Sequence, residues 1–386
     1  MREVLFITND GLLDPLGRSQ ILPYIIGLSK KGLVFTVLSF EKKHSSYEID
    51  KLKKLLKSFN ITWYHLKFRR GKFQRIARII NGANYVRKIC NIKKIDIVHC
   101  RAILPAIIFT FAFIKKKFIY DIRSFAGQWI DTKAIREGSL LEKIFLLFEK
   151  YLIKTASGIV VLDESGGEFL KDYYRTNKPY KVIPTSTDIS KYKSIIKKEK
   201  EKIKFVFLGG VQYPYLTFEA LSFIKQLIDL GFKCSIDFIN KGDHELIKDL
   251  AKRIRFPKEM LKVFQMENEE MPDLLINYDC GLVFIAEGNY LKMCSPTKIG
   301  EYLASGLFVI SLEGINITDR FSKKYKCFYL VRRDFLKRKI TLNEAEEFIH
   351  KIKSPEISKI SKDVALKYYD LNKALENYFD LYNMIK

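Results

Sequence analysis

Short apolar runs alternate with amphipathic stretches along the whole chain. Residues 4–8, 34–39, 61–66, 95–99, 117–120, 158–162 and 181–183 each read as a strand. Apolar residues at intervals of three and four predict helices between them. One spans 19–31 and is closed by Gly32; another spans 140–154, with Leu141, Ile144, Phe145, Phe148 and Leu152 on one face. The run 103–114 is apolar throughout, but at about 12 residues it is short of the ~20 that a membrane-spanning helix needs, and reads as a buried helix. Polar, lysine-rich residues 189–203 break the pattern and read as a linker. A second series follows, with strands at 204–208, 233–239, 261–264, 280–284 and 307–311, a helix at 216–230 closed by Gly231, and a helical tail from 354 onward. Such alternation predicts parallel-sheet α/β domains. The expected division is 1–188, then the linker, then 204–360, with 361–386 as a terminal helix. Two Rossmann-like domains imply a cleft between them, with ligands outside the carboxyl ends of the strands.

Composition supports two full cores: 386 residues, 47% of them apolar, exclude a mainly disordered chain. Charge changes the picture more. The net charge is +24, and residues 1–190 hold 34 basic against 17 acidic side chains. Such a surface attracts nucleic acid, anionic lipid or anionic substrates. The densest stretch, residues 51–95, has 14 Lys or Arg and no Asp or Glu. Within it Phe73, Ile76, Ile80, Ala83, Val86 and Ile89 recur at helical spacing and are expected to face a core, while Arg69, Arg70, Lys72 and Arg75 supply a basic face for an anionic membrane surface. Aromatics are not interleaved with the basic residues as stacking platforms, which argues against nucleic acid as a partner. The six cysteines form no Cys-x-x-Cys pair, and no leader-like segment follows Met1, so reduced thiols in a cytoplasmic protein are expected.

The segment with the most chemistry is Ser295-Pro-Thr-Lys-Ile-Gly-Glu301-Tyr-Leu-Ala-Ser-Gly306, followed by an apolar run. Ser295 suits an N-cap and Pro296 the first helical position. The first-turn N–H groups, with Thr297 and Lys298, then suit a phosphate, and Glu301, further in, suits the vicinal hydroxyls of a ribose. The bland alternative, a capped core helix with an exposed lysine and glutamate, weighs about equally on spacing alone. No Asp-x-Asp triplet occurs, so no metal is expected on a diphosphate and no other cofactor is implied.

This segment resembles the donor-site motif of glycosyltransferase family 4, in its "SPTK…EYLA.G" version common among bacterial polysaccharide enzymes. Other matches follow in family order. Pro15-Leu-Gly17 resembles the N-terminal glycine loop, Asp96-Ile-Val-His99-Cys-Arg101 the "D.VH.R" strand and Tyr120-Asp121-Ile-Arg123 the "YD.R" turn. Val182-Ile-Pro184-Thr-Ser-Thr-Asp188 resembles "VIPNGVD", and Leu208-Gly209-Gly210 the opening of the second domain. The resemblance implies a GT-B architecture, two Rossmann-like domains facing across a cleft with a C-terminal helix returning to the first. It also implies a retaining, metal-independent transfer of a sugar from a nucleotide-sugar donor to a lipid-linked or oligosaccharide acceptor. It implies that Gly17, Gly209, Gly210, Ser295, Thr297, Lys298 and Glu301 bind the donor, and that His99, Asp121 and Arg123 lie at the catalytic end of the first domain. The setting expected is the inner face of the cell membrane, bound peripherally, in a cell-surface polysaccharide pathway. Three departures from the family pattern stand in the sequence. Met293 occupies the position of a first glutamate separated from Glu301 by seven residues, Gln212-Tyr-Pro-Tyr215 replaces a basic pair, and Thr185-Ser186 replaces "NG". A catalytically lapsed scaffold and a nucleotide-sugar epimerase therefore remain as alternatives.

Overall fold

A computed structural model describes residues 2–68, 71–193 and 202–385, and for Lys72 the backbone alone. Arg69, Arg70 and the Lys72 side chain, three of the expected membrane contacts, lie outside the described residues, as does 194–201 of the expected linker. Two compact units emerge, Met1–Pro184 together with Leu371–Lys386, and Thr185–Asp370.

The first unit holds seven strands, β1 (Glu3–Thr8), β2 (Val34–Glu41), β3 (Thr62–Lys67), β4 (Ile97–Arg101), β5 (Lys117–Asp121), β6 (Gly158–Val161) and β7 (Tyr180–Val182). They form one sheet in the order β3-β2-β1-β4-β5-β6-β7, every pair parallel. Crossover helices bury both faces, so β4 has no exposed residue. The C-terminal helix Leu371–Met384 packs on the helix Leu22–Lys30 and on β7. Two glycines make room for it: a Cβ on Gly27 would overlap Leu375, and one on Gly158 would press on Ile385. Glu149, fully buried on the helix Leu140–Thr155, accepts hydrogen bonds from Ala126 N (2.8 Å) and the Tyr174 hydroxyl (2.6 Å), pinning the loop after β5. Burial pushes its carboxyl up to about 7.

The second unit holds β8 (Ile203–Leu208), β9 (Cys234–Ile239), β10 (Leu261–Phe264), β11 (Cys280–Val283), β12 (Phe308–Leu312) and β13 (Phe328–Val331), parallel, in the order β10-β9-β8-β11-β12-β13. Both sheets switch direction beside their first strand, the place where α/β sheets open a crevice.

Several expectations need correction. The single helix at 19–31 is two, Pro15–Gln20 and Leu22–Lys30, broken at Ile21 (φ −127°, ψ −57°). Pro23 supplies the cause: in a continuous helix it would lack the N–H to donate to the Ser19 carbonyl and its ring would clash there, whereas in the first turn of a new helix neither matters. The apolar stripe on the helix Lys72–Ile92 is core-facing only in its second half. Ala83, Val86 and Ile89 are buried, but Phe73 is 87% exposed and Ile76 and Ile80 are more than half exposed. Leu141 and Ile144 of the helix Leu140–Thr155 are likewise exposed, along with Leu140 and Leu147, while Leu152 is buried. Among the described residues no helix is long and apolar enough to cross a membrane.

Candidate functional site

In the second unit the glycine-rich turn after β8 and the helix Thr297–Ala304 meet at the carboxyl ends of β8 and β11. The turn needs its glycines for different reasons. Gly209 has φ +84° with open space around it, a conformation that glycine adopts without strain. Gly210 has ordinary φ, but a Cβ there would press into the Tyr215 ring.

Tyr302 fixes the helix. Its ring lies against Gly281 of β11, where any Cβ would overlap it, and its hydroxyl accepts from Leu208 N at 2.9 Å at the end of β8. A fully buried tyrosine so tethered sets the rotation of the helix, and therefore where Lys298 and Glu301, three residues apart, project. Ser295 is not the N-cap. Pro296 takes that place with no side-chain cap, and Thr297, not Pro296, opens the helix. Ser295 is buried instead, its carbonyl accepting from the Thr185 hydroxyl at 2.7 Å. That bond makes use of the Thr185-Ser186 departure noted in the sequence.

Lys298 is neither a surface lysine nor ion-paired within hydrogen-bonding distance. It is 3% exposed, its Nζ has no hydrogen-bond partner among the described residues, and it lies 4.0 Å from the Phe207 ring centroid and 4.5 Å from that of Tyr215. Cation–π attraction contributes about 2 kcal/mol in such desolvated settings, less than full solvation would. Burial therefore drives the Lys298 ammonium down to about 7, with Glu301 opposing. Burial also drives the half-buried Glu301 carboxyl up to about 7, with Lys298 opposing. A shift of that size in Lys298 corresponds to on the order of 5 kcal/mol against the charged form. An anion arriving beside Nζ recovers it. Tyr192 stands near the same carboxylate. Burial first, then the Glu301 charge, push its hydroxyl well above the ordinary range.

In the first unit, His99, Asp121 and Arg123 lie together at the ends of β4 and β5. His99 is 1% and Asp121 2% exposed, so neither faces open space. The C-terminal helix covers them: the Tyr382 hydroxyl is 2.6 Å from His99 Nδ1, and the Tyr378 hydroxyl donates to Asp121 Oδ2 at 3.0 Å. His99 Nε2 lies 3.3 Å from the same carboxylate oxygen. A neutral ring donating from Nε2 and accepting at Nδ1 satisfies all three groups. Burial keeps the His99 pKa below its ordinary value. Burial alone would raise Asp121, but Arg123 at 3.4 Å, with His99 and Arg101, holds it below the ordinary carboxylate range. His99 and Asp121 thereby tie the C-terminal helix to β4 and β5. Arg123 is more accessible and stays beside them.

Gly17 is also not a loop residue. It lies in the helix Pro15–Gln20, and a Cβ there would collide with the carbonyl oxygen of Gly11. Its absent side chain serves the packing of that helix on the β1 loop. Among the described residues, no group of three or more His, Cys, Asp or Glu is placed to hold a metal. Tyr215, Tyr378 and Tyr382 were not anticipated. The one signal for the last two is their spacing of four on an amphipathic tail.

No family model and no curated protein sequence matches the chain. Solved structures do, over their full length. A sucrose-phosphate synthase from Thermosynechococcus elongatus superposes with TM-score 0.74 at 10% identity, covering 100% of this chain and 99% of that one. HepE of Anabaena, in complex with UDP and glucose, gives 0.66 at 12%, covering 99% and 100%. WaaG, a glycosyltransferase involved in lipopolysaccharide biosynthesis, gives 0.64 at 12%, covering 98% of each. At such identities the likeness establishes architecture: two parallel-sheet Rossmann-like domains and a C-terminal helix that returns to the first make this a GT-B fold.

Proposed function

We propose that the protein is a glycosyltransferase of the family 4 type that moves a sugar from a nucleotide-sugar donor, bound by the second unit, to a saccharide acceptor bound by the first. The observation that carries this reading is Lys298, a buried cation without a hydrogen-bond partner among the described residues, at the start of a helix no side chain caps. A diphosphate completes such a site: it accepts from the ammonium and the first-turn N–H groups, while Glu301 accepts from the ribose hydroxyls. HepE, similar over the full chain, is described in complex with UDP-glucose, which supports a donor of that class here. As the glycosidic bond to the donor breaks, negative charge grows on the leaving diphosphate. Lys298 and the helix dipole stabilise it by preorganisation, in place of a metal. Transfer is proposed to retain anomeric configuration.

Binding at an anionic inner membrane surface belongs to the same proposal. The acid-free basic stretch supports it, and so do the apolar residues left exposed on two helices of the first unit, Phe73, Ile76 and Ile80 on one and Leu140, Ile144 and Leu147 on the other. Trp129 links the two neighbourhoods, with the Arg75 guanidinium 5.7 Å from its ring and Phe145 4.9 Å away.

A thermal-shift panel of UDP-, GDP-, ADP- and CMP-sugars tests the donor reading. One nucleotide class is expected to raise the melting temperature through its preferential affinity for the folded state, by about 2.7 kcal/mol of stabilisation at 100 times its Kd. No shift from any of them would remove the proposal.

A further inference from the structure

A concave site lies wholly within the first unit. A pocket of ≈ 430 Å³ opens at the carboxyl ends of β2 and β3, walled by the helix Lys72–Ile92. That volume is in the range of small-molecule sites. Gln74, Arg78, Asn81 and Tyr85 enter it from one helix face, at spacings of four, three and four. Lys67, the last residue of β3, and Phe40 of β2 line it as well.

Arg78 makes the pocket more than a groove. It is 8% exposed, its guanidinium lies 4.4 Å from the Phe68 ring centroid, and NH1 donates to Asn9 Oδ1 at 2.8 Å. Its Nε is buried with no hydrogen-bond partner among the described residues. Among the described residues no Asp or Glu lines the pocket. Glu41, at the end of β2, is committed elsewhere: its oxygens accept from Leu12 N at 2.7 Å, Leu13 N at 3.3 Å and the Ser39 hydroxyl at 2.6 Å. Burial, then Arg75, lower the Arg78 pKa from its ordinary value, as for a cation short of counter-charge. A buried donor left unmade is costly, and a guanidinium matches the two oxygens of a phosphate or carboxylate. The amides, the Tyr85 hydroxyl and the Phe40 ring suit the hydroxyls and face of a sugar.

We propose that this pocket binds the phosphate of a phosphorylated saccharide on Arg78 and Lys67, and that such a compound is the acceptor. The second half of the statement rests on the transferase reading above. The phosphate belongs either to a soluble sugar phosphate or to a lipid-linked one.

Calorimetric titration of glucose 1-phosphate against glucose tests it. The protein used carries Lys298→Met, so that the phosphate cannot bind beside Lys298. Glucose 1-phosphate is expected to bind about 10-fold or more tightly than glucose, and Arg78→Gln to lose about 10-fold of that affinity. Should Arg78→Gln fail to fold, Lys67→Gln, on the pocket rim, carries the same test with an expected loss of about 3- to 10-fold. Equal binding of the two sugars, or unchanged glucose 1-phosphate affinity in the folded variants, overturns the proposal. Nucleotide-sugar binding is measured in parallel on protein with Lys298 intact. If it persists while glucose 1-phosphate fails, the pocket alone is refuted; if nucleotide-sugars fail while the pocket binds, the transferase reading falls and the anion site stands. Competition by a lipid-linked glucose phosphate in uncharged detergent micelles assigns the phosphate to a lipid-linked sugar, and its absence to a soluble sugar phosphate; either upholds the site.

Discussion

Lys298→Met melts at a higher temperature than the wild type near pH 6, yet binds nucleoside diphosphate about 10- to 100-fold more weakly. The two effects share one cause. The folded-state pKa of Lys298 is depressed to about 7, below the unfolded value. The folded protein then bears the cost of a buried cation in full below about pH 7, and the cost fades as pH rises towards ~10.4. Methionine removes the charge but keeps a stem that fills the space between Phe207 and Tyr215, so the stability gain follows that pH window. Donor binding loses the charge-assisted bonds. A proton balance supports the same assignment. Near pH 8 the lysine is mostly neutral in the free protein, and a bound diphosphate restores its proton, so binding takes up close to one proton in the wild type and none in the variant. Calorimetry in two buffers of different ionisation enthalpy reads this directly. Glu301→Gln should fold normally and weaken donor binding by about 10- to 100-fold. Proton uptake that survives in Lys298→Met would place the titrating group elsewhere.

The second large effect concerns the membrane. Changing Arg69, Arg70, Lys72 and Arg75 to Glu reverses four charges, each worth about 1 kcal/mol near an anionic leaflet, so co-sedimentation with anionic vesicles falls by about 100- to 1000-fold at low salt. Phe73→Ser with Ile76→Ser removes exposed apolar contact on the same helix and weakens binding at all salt concentrations. Salt separates the two contributions, since the charge part is screened over ~8 Å at physiological strength and the apolar part is not. Donor binding stays unchanged in both variants. Equal pelleting of variants and wild type would assign the basic face to ordinary solvation.

The parallel-sheet architecture was legible because buried strands announce themselves locally, as β8 does in Phe205-Val-Phe-Leu208. The last strand, β13, escaped notice because its four residues follow a charged helix end and offer too short a run. Periodicity placed the helix Lys72–Ile92 but not its exposure. The pattern 73, 76, 80 looks the same whether a neighbour covers it or not, and coverage is a tertiary fact. The motif around Lys298 and Glu301 lies on a helix, Thr297–Ala304, as its spacing suggested. Its electrostatics depend on Phe207 and Tyr215, some 80 to 90 residues away, so no local reading separates a buried lysine from an exposed one. Likewise, His99 and Asp121 look like open strand-end residues until Tyr378 and Tyr382 arrive from the far end of the chain.

The central claim is that the second unit binds a nucleotide-sugar and that its diphosphate leaves without a metal. The most direct measurement is release of nucleoside diphosphate from the nucleotide-sugar that stabilises the protein most, in excess EDTA, with glucose 1-phosphate and its lipid-linked counterpart as acceptors. The account predicts that wild type forms nucleoside diphosphate and glycosylated acceptor in EDTA, and that Glu301→Gln does so at least about 10-fold more slowly. No release from any nucleotide-sugar, an epimerised donor with no acceptor product, or release that requires added Mg or Mn would contradict it.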